Sequence, residues 1–367
     1  MPLLGVSGGV VLGPRRVGKT SLVNVAINEL GVLALRLNLV RLRESGRVRY
    51  SRDSFVALLP EEVARLVRAG TLVGRVVRFV ANVLGVDEDS VVNFSSFKLR
   101  VRLRRFRAED VGGLLRELDG FARDNRRRLV VVLDEAQELG RVMGIDFPSL
   151  LQDVYDYCTN TVIVMTGSMV GIMEGLLRGL EYGKPFFGRY MRRIYLGRFS
   201  EDESREFLRM GFREEGLEVG DDVINNAVNR LDRVVGWLTL FGAEYVNYLR
   251  HGVKPNIENI VAQAIEEVRE EFRNFLLTTQ SAYRYAAITL ALGRLGGRAR
   301  LGEVVEVAGT LINEEIPRSR VYEILSRLVD YGFIERVNDE YLLPKDESGR
   351  VGMLRASEGV LGSLRWW

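Results

Sequence analysis

Eight residues near the start of the chain restrict its fold more than any others. Gly13-Pro14-Arg15-Arg16-Val17-Gly18-Lys19-Thr20 fills every fixed position of the phosphate-cradling pattern G-x-x-x-x-G-K-[ST]. The pattern carries weight only where a strand runs into it and a helix runs out. Here Val10-Val11-Leu12 read as a short buried strand before it. Ser21 to Leu30 read as a helix after it, with Leu22, Val23, Ala26, Ile27 and Leu30 on one face. Gly13 and Gly18 permit backbone angles that turn successive N–H groups toward a phosphate. The helix adds its positive N-terminal end. Lys19 would reach the β- and γ-phosphates as a point charge, and the Thr20 hydroxyl would ligate Mg²⁺. The segment expected to hold nucleotide is Gly13, Pro14, Arg15, Arg16, Val17, Gly18, Lys19, Thr20 and Ser21.

A second segment supplies acids. Arg128-Leu129-Val130-Val131-Val132-Leu133-Asp134-Glu135 is an apolar, β-branched run that ends in two carboxylates. A central parallel strand, buried on both faces, has this composition and delivers functional groups at its C-terminal end. Asp134 would hold the metal with Thr20, directly or through water. Glu135 would orient or deprotonate an attacking water. Taken alone, the same residues also fit an ordinary strand followed by a polar helix cap.

Composition narrows the class. Of 367 residues, 47% are hydrophobic and 28% charged, ordinary for a globular protein of two or three domains. One cysteine, Cys158, excludes an intrachain disulfide framework, and one histidine, His251, leaves no zinc site and no histidine-based triad. No apolar run approaches the ~20 residues of a membrane span. No basic region followed by an apolar core marks the start, so a cytoplasmic location without membrane contact is expected. A net charge of +3 does not mark the whole chain as a polyanion binder.

Strand and helix patterns alternate over residues 1–198. The expected fold class is therefore α/β: a parallel sheet with helices on both faces, followed by a helical lid and a winged helix. Within the first domain Val32 to Leu39 read as a strand and Ser54 to Ala69 and Leu72 to Leu84 as helices. Phe97 to Arg107 reads as a half-buried strand with a basic outer face. Thr161 to Thr166 read as another buried strand, ending at Gly167-Ser168. Ser168 is there either a γ-phosphate sensor or the N-cap of a helix from Met169 to Leu177. Over 199–278 only helical patterns occur, opened by a capping box at Ser200-Glu201-Asp202-Glu203. Residues 279–346 read helix, helix, helix, hairpin, which is the winged-helix order. Asn338-Asp339 would form the hairpin turn. Residues 347–367, ending Trp366-Trp367, show no usable periodicity and read as a tail.

These segments together resemble the archaeal P-loop ATPases related to AAA+ and STAND proteins. The matching stretches are Leu12 to Ser21, Leu133-Asp134-Glu135-Ala136-Gln137, Thr166-Gly167-Ser168, Phe187-Gly188-Arg189, Phe199-Ser200 and Gly236-Trp237-Leu238. The resemblance implies ATP and ADP as ligands, Mg²⁺ as the metal, slow hydrolysis, and domain motion tied to nucleotide state. It implies a catalytic set of Lys19, Asp134 and Glu135, with Ser168 as sensor and Arg189 facing the γ-phosphate or a neighbouring subunit. Members usually carry proline where this chain has Val235.

Two further readings compete with an ATPase that drives its lid and winged helix. One is a DNA-binding regulator in which nucleotide is only a switch; the other is a STAND-like scaffold that forms a homo-oligomer or recruits a protein partner. Duplex DNA would meet Arg318 and Arg320 at the start of the third winged-helix helix, with Arg300 nearby. Against this, Ala282 to Lys345 carries nine basic and nine acidic residues, a poor balance for binding phosphates.

Overall fold

The computed structural model describes residues 8–45, 49–68, 78, 81–82, 108–168 and 191–364. The basic run Lys98 to Arg107, most of the helix expected over 72–84, the helix expected over Met169 to Leu177, Arg189 and the Trp366-Trp367 pair lie outside them. The chain forms two compact units. One comprises Met1–Gly13 and Lys19–Leu196, the other Pro14–Gly18 and Gly197–Trp367.

The first unit is built on five parallel strands: β1 (Gly8–Leu12), β2 (Leu33–Asn38), β3 (Leu129–Asp134), β4 (Thr161–Gly167) and β5 (Arg192–Tyr195). Their spatial order is β2-β3-β4-β1-β5. Strand alternation divides the apolar side chains into two cores. Val10, Leu12, Leu33, Leu35, Leu37, Leu129, Val131, Leu133, Ile163 and Met165 enter one core. Val11, Ala34 and Val132 enter the other, where Val23 and Ile27 of α1 (Lys19–Leu30) meet them. This is why the strands read as continuous apolar runs: both faces are covered. Helices α2 (Arg52–Val56), α3 (Leu59–Arg68), α4 (Ala108–Asp124) and α5 (Phe147–Tyr157) complete the described part of this unit. Cys158 caps α5 within the first core, and burial, with Asp119 and Asp153 adding to it, pushes its thiol up to about 12. It is an inert core residue rather than a nucleophile.

The sheet order decides the site. β4 lies between the strand that feeds the phosphate loop and the strand that carries the acids. The register sets Leu12 opposite Gly167, and Leu133 opposite Met165, so the C-terminal ends of β1, β3 and β4 lie at one edge. Ligands of open parallel sheets bind at that edge.

The second unit holds α6 (Glu201–Glu214), α7 (Asp221–Arg230), α8 (Val235–Arg250), α9 (Ile257–Leu277), α10 (Ala282–Arg294), β6 (Arg298–Arg300), α11 (Leu301–Ile312), α12 (Arg318–Asp330), β7 (Glu335–Val337), β8 (Glu340–Leu342) and α13 (Glu347–Leu364). The capping box forms as expected: the Glu203 N–H donates to Ser200 Oγ, and the Ser200 N–H donates to Glu203 Oε2. Strands β6, β8 and β7 form a small antiparallel sheet behind α10, α11 and α12, which is a winged helix. Asn338 takes the left-handed conformation its hairpin turn requires, at φ 55°. The lid helices and the winged helix share one continuous core, with Phe272, Phe275, Tyr285, Tyr331 and Phe333 packed ring against ring.

The stretch from 347 differs from its reading as a tail. It is an eighteen-residue helix, α13, with Met353 and Ala356 buried in the shared core. Asp346 caps it by accepting the Gly349 N–H at 2.6 Å. Burial pushes the Asp346 carboxyl up from the usual range, against the pull of that N–H and of Arg198. No helix among the described residues is long and apolar enough to cross a membrane.

Candidate functional site

The edge where β1, β3 and β4 end collects a polar cluster, all of it in the first unit. The loop glycines adopt the angles the motif needs, with φ 152° at Gly13 and 86° at Gly18. Lys19 is only 5% exposed, and its ammonium donates to the Gly13 carbonyl at 3.0 Å. The side chain thus folds back along its own loop.

Thr20 lies in the first turn of α1, and its hydroxyl donates to Asp134 Oδ1 at 2.8 Å. The residues expected to share a metal are therefore in direct contact. Both are hard oxygen donors. Mg²⁺ is held by one or two such protein groups, with water and phosphate oxygens completing an octahedron. Among the described residues no cluster of three or more His, Cys, Asp or Glu competes for a metal.

Thr166 joins the two acids, a residue that the sequence reading quoted in a matching stretch without giving it a role. Its hydroxyl donates to Asp134 Oδ1 at 2.5 Å and accepts the Glu135 N–H at 3.0 Å. One fully buried hydroxyl on β4 thereby fixes the Asp134 carboxylate and the Glu135 backbone together. The sequence signal was weak, because a threonine inside a β-branched run looks like strand filler.

Glu135 leaves the strand in a left-handed conformation, φ 56° and ψ 52°. Such a backbone costs about 1–3 kcal/mol for a non-glycine residue and is found disproportionately at functional sites. Its Oε2 accepts from the Ser168 hydroxyl at 2.5 Å and from the Gln137 amide. Ser168, expected beside a γ-phosphate, here lies buried against Glu135. Arg189 falls outside the described residues.

The middle of the phosphate loop, Pro14 to Gly18, groups with the second unit. Arg16, left-handed at φ 63°, lies over the Trp237 ring at 4.3 Å and pairs with Glu271 at 2.9 Å. Burial lowers the Arg16 pKa, offset in part by Glu267 and Asp346. Arg15 also pairs with Glu271 and lies 4.9 Å from the centre of the Phe333 ring. The two arginine side chains are thus engaged by carboxylates and aromatic faces of their own unit.

The Gly236 N–H donates to the Arg16 carbonyl at 2.7 Å. A Cβ at 236 would stand 2.7 Å from Arg16 Cβ and 3.1 Å from its carbonyl oxygen. Only glycine admits this approach. Inside a helix, Gly→Ala normally stabilises by roughly 1 kcal/mol. Gly236→Ala is expected to do the reverse, lowering Tm and weakening Mg-ATP about tenfold by displacing the loop. Gly242→Ala on the same helix, where the nearest atom is 3.9 Å from the new Cβ, is the control. Thermal melts and nucleotide titrations of both variants check this.

Of the three arginines assigned to nucleic acid, Arg300 and Arg318 are exposed. The Arg318 guanidinium reaches the first turn of α11, 3.9 Å from where a Cβ on Gly302 would lie. Among the described residues no carboxylate pairs with either. Arg320 is held by Glu323 at 2.6 Å.

Comparison with solved structures agrees with this architecture. A Walker-type ATPase of Pyrococcus abyssi superposes with a TM-score of 0.72 at 25% identity, over 95% of this chain and 91% of that one. The chain has the fold of an archaeal P-loop ATPase. The ORC2 protein of Aeropyrum pernix, solved with ADPNP and ADP, shares that fold with a TM-score of 0.56 at 12% identity, over 99% of this chain and 90% of that one. No protein-family model and no curated protein sequence matches the chain.

Proposed function

We propose that this P-loop ATPase-fold protein binds Mg-ATP and hydrolyses it to ADP and phosphate, and that its C-terminal winged helix couples nucleotide state to duplex DNA. The observation that carries the first half is the chain of contacts Thr20–Asp134–Thr166–Glu135. It joins the end of the phosphate loop to both acids through two hydroxyls, those of Thr20 and Thr166.

In this reading Lys19 leaves the Gly13 carbonyl for the β- and γ-phosphate oxygens and offsets charge there. Thr20 and Asp134 would hold Mg²⁺, which would supply charge neutralisation for the phosphates. Glu135, held by Ser168, orients a water in line with the γ-phosphorus and accepts its proton. Ser168 therefore acts on the carboxylate rather than on the phosphate.

DNA coupling is favoured over a protein-only switch by one observation. Arg300 and Arg318 are exposed on the winged helix with no carboxylate partner among the described residues, while Arg298, Arg320 and Arg336 are each paired. The deciding measurement is Mg-ATP turnover over a range of temperatures, with and without duplex DNA. DNA-stimulated turnover supports coupling; turnover indifferent to DNA sends the search to a protein partner. The Arg300→Ala, Arg318→Ala double variant should lose DNA affinity and flatten its dependence on log salt by about 2, one for each phosphate contact. Basal turnover should be unchanged.

A further inference from the structure

The turn after β3 carries a side chain that the mechanism above does not use. Gln137 sits in a 3₁₀ turn, Ala136–Arg141, and is only 3% exposed. A carboxamide in the interior must satisfy two donors and an acceptor, at about 1–3 kcal/mol for a group left unmet. An apolar side chain would fill the same space without that demand. The amide of Gln137 faces Glu135 Oε2, the oxygen that also takes the Ser168 hydroxyl. A carboxylate oxygen can only accept, so the NH₂ group must point at it, and this fixes the orientation of the amide. That leaves Gln137 Oε1, which is buried and has no partner among the described residues.

We propose that Gln137 is a positioning residue for the hydrolytic step. Its NH₂ group fixes the Glu135 carboxylate in the orientation from which that carboxylate acts on water. The proposal rests on the ATPase reading. Glu135 is pinned at its backbone by Thr166 and at one carboxylate oxygen by two donors, one from Ser168 just after β4 and one from the turn. Donors arriving from two different elements leave the carboxylate a single orientation.

Gln137→Met retains length and volume but removes donor and acceptor. It is expected to lower kcat about a hundredfold, the loss that a small misplacement of a reacting group produces. KM and the directly measured Kd for Mg-ATP should stay within about twofold. In a Glu135→Gln background the same change should cause no further loss of kcat, because Gln137 acts through Glu135. A purely structural role gives the opposite pattern: lower Tm, a changed Kd, and losses that add.

The contact itself is tested without turnover. In nucleotide-free protein, Gln137→Glu sets carboxylate against carboxylate and should lower Tm at neutral pH. Adding Glu135→Gln should restore it. Failure of that rescue overturns the contact and the proposal with it, whatever the turnover. An intact rescue, with no ATP hydrolysis by the unaltered protein, overturns the ATPase reading, and with it the role in hydrolysis.

Discussion

Lys19→Ala is expected to abolish the rise in Tm that Mg-ATP gives the unaltered protein. The Lys19 ammonium is buried and donates to the Gly13 carbonyl at 3.0 Å. Exchanging a neutral carbonyl for a phosphate oxygen replaces a hydrogen bond to a dipole with one between opposite full charges, which is stronger. Contacts to charged groups are worth about 1.5–3 kcal/mol each, so losing the lysine should weaken nucleotide on the order of a hundredfold or more. Ligand at a hundred times its Kd stabilises a protein by about 2.7 kcal/mol, and at its Kd by only a few tenths. A shift of several degrees should therefore vanish. In the nucleotide-free variant the loss of the Gly13 contact is set against removal of a charge from the interior, so its own melt is the baseline from which the shift is read. Lys19→Arg should fail as well: the planar guanidinium fork cannot occupy the space of a compact ammonium. An undiminished shift in Lys19→Ala would remove the phosphate role from Lys19.

The parts of this site that were legible in sequence are those in which backbone and chemistry make the same demand. The phosphate loop needs Gly13 and Gly18 for its angles and Lys19 and Thr20 for its chemistry, so four positions speak at once. The β3 run needs apolar residues on both faces and acids at its tip, and Val131, Val132, Leu133 and Asp134 meet both demands. Thr166 and Gln137, both in the matching stretches, drew no role from the sequence because each belongs equally to its local structure. A threonine fits a β-branched strand and a glutamine fills a polar turn; what Thr166 touches is set by the strand order β3-β4-β1, whereas Gln137 meets Glu135, two residues away, where the chain turns left-handed. That order is a tertiary fact with no local signature. Arg15 and Arg16 were read as loop residues that hold nucleotide; their contacts to Glu271, Phe333 and Trp237 join residues more than two hundred positions apart.

α13 was hidden by its glycines. Gly349, Gly352, Gly359 and Gly362 lower helix propensity at four positions. At least one of them is a packing requirement. A Cβ on Gly352 would stand 2.7 Å from the Ile265 carbonyl of α9. The helix forms because it packs that closely against α9, so tertiary contact overrides local preference. β6, three residues of alternating Arg-Ala-Arg, is too short to register as a pattern and exists because β8 pairs with it.

Glu135→Gln should separate binding from hydrolysis more cleanly than any other change. The substitution is isosteric, and its amide oxygen can still accept from Ser168 and Gln137, which both bond to Oε2 in the unaltered protein. The left-handed backbone and its bond to Thr166 do not involve the side chain, so the turn should keep its shape. Only the ability to accept a proton from water is lost. General-base contributions are typically 10²–10⁴-fold, and the fall in kcat should lie in that range. Mg-ATP affinity should be retained, because Lys19, Thr20 and Asp134 are untouched. The protein should then accumulate with ATP bound and unhydrolysed, which chromatography of the released nucleotide would show directly. If bound ATP holds a DNA-competent state, this variant should also show the tightest DNA binding of the series. Turnover at the unaltered rate would sink the assignment of Glu135 and move the search for the base to another residue. Loss of ATP binding would mean that the carboxylate supports the loop rather than the chemistry.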